Sequence, residues 1–386
     1  MHRHIQYYLN VSHPRIWHKE LDVFRGQYQF KQSAFDRIAN CLTNEMSMYA
    51  MLASSASQMQ YIEGIPPIED ARVLIHKAIV AASRRLRQTD AVDDNLIYDI
   101  NALANAEFFS FDTKAARIHL KFVKQLIDQT GGLGRLPQFM REWFLAGDES
   151  VAAELFEQPF FHFSEYDPGP LLDWSRTSVD AERHPCDSFV QDCDVFSSCP
   201  KLEQIVLDLL EWSHEMKVQL RSTLSNPGSP ITGSSYERAR WLHLRAVALR
   251  SRLLHLETVT WKEEITRLAL LAWAYMIMTV SGRRRTMKVM ASRLKAIIST
   301  GAVLRWKNHS LLLWILIVAA CASEGDSDQQ AWFFEKVLVV CWRARLQARI
   351  LTEDAAVKAL SRFLYVEEIQ RPMVHELFEA LKINSA

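Results

Sequence analysis

Hydrophobic positions in this chain recur every three to four residues over long stretches, as in Ala116, Leu120, Val123 and Ile127, which a helix gathers on one face. The residues between such stretches predict where helices end. Small and apolar residues dominate 33–61 until Glu63-Gly64-Ile65-Pro66-Pro67, where the prolines withdraw the amides a helix needs. A second helix begins near Ile68, with Glu69 and Asp70 in its first turn and Arg84, Arg85 and Arg87 in its last, the charge order that complements the helix dipole. A third covers 94–109. A fourth begins at Asp112, whose carboxylate can accept from free first-turn amides, and stops at Gly131-Gly132, residues able to turn left-handed. Short helices over 136–146 and 149–156 precede Pro159.

From 159 to 200 the composition shifts to Pro, Asp, Ser and Cys and no sustained period remains, which predicts a long irregular connection. Helical periodicity returns over 201–224, and the Ser-, Pro- and Gly-rich stretch 225–235 reads as flexible. Further helices are expected over 236–256, 261–280, 284–300, 310–323, 329–346, 353–364 and 372–381. Several are apolar nearly all round, as buried central helices must be. The expectation is therefore an all-α, multi-helix single body over 1–386, with helical halves 1–158 and 201–386 joined by the connection 159–200.

Composition narrows the function classes. Gly and Pro number 12 each, few for a protein of strands and tight turns. Lys plus Arg and Asp plus Glu are 45 each, so no global positive field exists to hold nucleic acid or an anionic membrane surface. The most apolar runs, 268–280 and 311–322, fall short of the ~18–20 residues that cross a bilayer and read as core helices. The N-terminal residues carry no long apolar run with a cleavage site, so secretion is not expected and the six cysteines read as thiols.

Candidate chemistry is sparse. Cys186, Cys193 and Cys199 are spaced more widely than the close pairs of structural zinc sites, with His184 or an acid as the only further ligand at hand, so ordinary thiols are favoured. Glu211 and His214 share a helical face at the spacing of di-iron bundles, yet the second pair such sites need is missing. Asp90, Asp93, Asp94 and Asp99 invite comparison with the magnesium-binding aspartates of terpene synthases, but Asp93 and Asp94 fit a helix start equally well. Gly132-x-Gly134 follows no strand and reads as a helix stop, and Ser292-x-x-Lys295 alone is a chance match. Arg283-Arg284-Arg285 with Lys288, Arg293 and Lys295 could serve nuclear import or phosphate contact, although its helical spacing favours a solvated face. No catalytic residue, metal ligand or cofactor is assigned.

Trp273, Tyr275, Trp314, Trp332 and Phe333 make the C-terminal half aromatic-rich and are the candidate lining of an apolar effector pocket between helices, core filling being the plainer role. Three blocks carry a family likeness. They are 99–109 with 115–121 and 129–133, where a His-Leu pair leads to a Gly-Gly stop; then 311–320; then Ala331-Trp-Phe-Phe with 363–368. In this order they resemble the fungal-specific transcription factor domain, the regulatory region of zinc binuclear cluster regulators. The resemblance implies an all-α nuclear regulator that works through other regulators or self-association and responds to a small hydrophobic effector. It does not extend to direct DNA binding, because the family's six-cysteine zinc cluster has no counterpart where Cys41 is the sole cysteine before Cys186. The alternative is an enzyme, a cyclase or isomerase of a hydrophobic metabolite, that reuses the helical pocket.

Overall fold

The computed structural model describes residues 2–12, 28–88, 92–171, 190, 193–225, 233–277, 283–343 and 352–383. Among them are sixteen α-helices and no strand, so the protein is all-α. These residues form two compact units, one reaching to Glu165 and the other starting at Tyr166, a division that falls inside the connection expected over 159–200. No described helix is long and apolar enough to cross a membrane.

The first unit contains α1 (His2–Tyr7), α2 (Tyr28–Thr43), α3 (Glu45–Ser57), α4 (Ala71–Gln88), α5 (Asp94–Phe109), α6 (Thr113–Gln129) and α7 (Gln138–Leu155). Helix α3 packs against α2, α4 and α5, and α6 and α7 cover α5. Ala53 and Ala56 of α3, Ala71 of α4 and Ala106 of α5 are all fully buried in one cluster, and their small side chains bring backbones close together. Start signals read from the sequence recur as caps. Asp93 accepts from the Leu96 amide and Asp112 from the Ala115 amide, while Gly131 and Gly132 take positive φ after α6.

Three expectations need correction here. The apolar run 33–61 is broken at Asn44, whose extended backbone and side chain accepting from the Ser47 amide start α3 afresh. The short helices expected over 136–146 and 149–156 are one helix, α7. Gly147 lies within α7 facing the Asn101 and Asn105 side chains of α5, and the helix runs through it without a break. Asp148 keeps its place in α7 by binding Arg117 and the Phe161 amide. Helix α1, too short for a period to register, was not predicted.

The second unit contains α8 (Asp194–Ser198), α9 (Pro200–Ser225), α10 (Gly233–His255), α11 (Trp261–Ile277), α12 (Arg283–Ile298), α13 (His309–Ala322), α14 (Ser327–Arg343), α15 (Glu353–Ser361) and α16 (Glu367–Ile383). Its centre is α13, buried on every side from Leu311 to Ala322 and flanked by α11, α12, α14, α15 and α16. Arg245 of α10 is buried between Asp167 and Asp208, and Asp208 also pairs with Arg252, so one ionic cluster fastens the segment 167–169 to α9 and α10. Helix α16 starts five residues before the predicted Pro372. Gln370 secures that first turn, its Oε1 accepting from the Val366 amide at 2.8 Å and from Trp273 Nε1 at 3.2 Å.

Candidate functional site

The five aromatic residues marked by the sequence have separate surroundings. Trp273 is wholly buried, set edge-on to Trp212 with ring centroids 6.0 Å apart, and its indole N–H is taken by Gln370. Trp314 donates to the Leu364 carbonyl at 3.0 Å and meets Phe363 edge-on at 4.9 Å. Tyr275 lies 4.7 Å under the Arg250 guanidinium, and Phe333 is buried beside Trp332. Trp332 itself is half-buried, with the Lys295 and Lys336 ammonium groups 5.3 and 5.2 Å from its ring. None of the five is among the residues that line the groove described next.

That groove, of about 370 Å³, opens in the second unit where the end of α13, the turn leading into α14 and one face of α16 meet. Met373, Leu377 and Ala380 recur at four and three residues along α16 and so share a face, supplying an apolar wall. Cys321, near the end of α13, forms part of the floor. Burial, with the Glu324 and Glu376 carboxylates nearby, pushes its thiol up to about 12, so it stays protonated at neutral pH. The turn is built by Gly325, whose φ of +75° suits glycine, and by Asp326, which caps α14 by accepting from the Gln329 amide at 3.0 Å.

The polar groups of the groove differ in how far they are satisfied. Glu324 pairs with the exposed Arg284 of α12 at 2.5 Å, and Lys288 of the same helix reaches the Gly325 carbonyl at 3.4 Å. Gln330 is only 7 % exposed, and its carboxamide has no hydrogen-bond partner among the described residues. Glu376 likewise has no hydrogen bond or ion pair among the described residues.

The other sequence candidates are spent elsewhere. Asp93 caps α5 and is held by Arg85, Asp94 pairs with Arg135, and Asp99 is enclosed with Arg37, while Asp90 lies outside the described residues. Glu211 is half-buried and His214 exposed on α9. Cys193 is buried, its sulfur accepting from Asn308, and Cys199 is half-buried; Cys186 and His184 lie outside the described residues. No three His, Cys, Asp or Glu side chains converge on a possible metal position among the described residues. Of the basic run, Arg283 donates to the Met276 carbonyl, and Arg284 and Lys288 hold the turn at the rim of the groove.

No family model matches this chain, and neither curated proteins nor solved structures show significant similarity to it. The site therefore rests on geometry. The sequence carried no signal for Gln330, Met373 and Glu376, because only the packing of α14 against α16 brings them together.

Proposed function

We propose that the chain is a helical regulatory domain that senses a small molecule and acts through protein partners, in the transcriptional role its resemblance implies. One observation carries the sensing part of this reading: a groove of about 370 Å³ is lined by Gln330, a residue 7 % exposed whose carboxamide has no hydrogen-bond partner among the described residues. Small-molecule sites combine such concavity with a few convergent polar groups on an apolar wall, and this groove is at the small end of their range. Its thiol is a poor nucleophile in the protonated state, so the groove is better suited to holding a molecule than to transforming it. An effector that fills the space between α13, α14 and α16 changes what these helices present to a partner, and can favour one arrangement only through its differential affinity.

DNA recognition in this reading falls to the partner. The test is transcript profiling of a strain lacking the protein, paired with a gel shift of the partner regulator with and without it. Altered transcripts and a shifted complex are expected. Unchanged transcripts would contradict the regulatory role.

A further inference from the structure

We propose that the groove between α13, α14 and α16 receives a small organic cation, an ammonium group carried on a compact apolar body. The inference rests on the effector-sensing reading and names the chemistry of the effector. The charges favour a cation. Among the described residues no Lys, Arg or His lines the groove, whereas two carboxylates do, and Glu376 has no hydrogen bond or ion pair there. Arg284 and Lys288 approach only the rim, where they are engaged by Glu324 and the Gly325 carbonyl. An anion would face Glu376 without compensation, while a neutral molecule would leave it unused.

Gln330 supplies the second contact. Its carboxamide oxygen can accept from a donor, so a ligand N–H that reaches it gains a hydrogen bond at the groove wall. Met373, Leu377 and Ala380 then cover the apolar body, with the neutral Cys321 thiol as polarizable floor. Glu324 is already paired with Arg284, so Glu376 is the carboxylate left for the ammonium group. A charge-assisted hydrogen bond from ammonium to Glu376 is the stronger of the two polar contacts.

The experiment uses the full chain with ¹³C-methyl methionine, Met373→Leu assigning the resonance that reports the groove and the Met46 methyl of the first unit serving as control. Three probes of equal length are titrated at neutral pH: n-hexylammonium, n-hexanol and n-hexanoate. Saturable movement of the Met373 signal by hexylammonium is expected, with hexanol weaker by about tenfold or more and hexanoate without effect. Glu376→Gln should abolish most of the preference for the amine, and Gln330→Leu should weaken binding while leaving the preference. Hexanol or hexanoate binding as tightly as the amine would overturn the cationic class but leave a small-molecule groove. No movement with any probe would overturn the groove as a ligand site, and the sensing reading with it.

Discussion

Asp99 in the first unit and Gln330 in the second are both polar residues with little surface in water, 0 % and 7 % exposed, but their neighbours differ. Asp99 is ion-paired with Arg37, accepts from Ser47 Oγ at 2.6 Å and has Arg85 at 3.6 Å, while the Arg37 guanidinium also sits 4.1 Å above the Tyr98 ring. The Gln330 side chain lines an open groove and has no hydrogen-bond partner among the described residues. Burial of a polar group is therefore not itself a functional signal. A buried group bonded to its neighbours closes a structure, and one that faces a cavity without partners is open to a ligand. Asn101 is a third case, 1 % exposed with its carboxamide unbonded, and Gly147 of α7 lies against it.

The largest expected effect comes from breaking the closed cluster. Asp99→Ala leaves Arg37 buried without its counter-charge and should cost about 3–5 kcal/mol in urea unfolding. A loss under about 1 kcal/mol would mean the cluster is dispensable and blur the contrast with Gln330.

Asn101→Leu removes an unmet donor and acceptor at similar volume and should stabilise the first unit by about 1 kcal/mol, read from the same denaturation curves. Destabilisation would show that Asn101 is satisfied, for instance by an enclosed water.

Asp148 gives a pH dependence. Burial pushes its carboxyl up to about 7 from 3.8, against the lowering effect of the Phe161 amide and Arg117. The folded protein thus binds the proton more tightly than the unfolded chain. This contribution to stability is fully present below the unfolded value and is lost as pH rises through about 7. Denaturation midpoints measured from acid to neutral pH should show that decline in the wild type relative to Asp148→Asn, which cannot titrate. Identical profiles would refute it.

The smallest effect is the most telling for the comparison. Glu376→Gln touches no bonded neighbour and should leave stability within about 0.5 kcal/mol of the wild type, in contrast to Asp99→Ala. A larger loss would reveal a structural role for Glu376.

Local grammar was legible in the sequence, and long-range meeting was not. Asp112 and the Gly131-Gly132 pair announced the ends of α6, because a cap is decided within a few residues of the chain. The all-round burial of α13 followed from its unbroken apolar run. Asn44 gives no visible break because the residues on both sides keep a helical composition, and the two short helices expected over 136–146 and 149–156 prove to be one. The Arg37–Asp99 pair and the groove are of the same kind. Nothing near Cys321 or Glu376 in sequence indicates that folding will place them beside one another.

The side-chain ¹⁵N resonance of Gln330 tests the central contrast most directly. In the free protein its carboxamide should behave as unbonded, and n-hexylammonium should move it along a saturable curve that Glu376→Gln suppresses. A carboxamide already hydrogen-bonded in the free protein and indifferent to the amine would contradict the account.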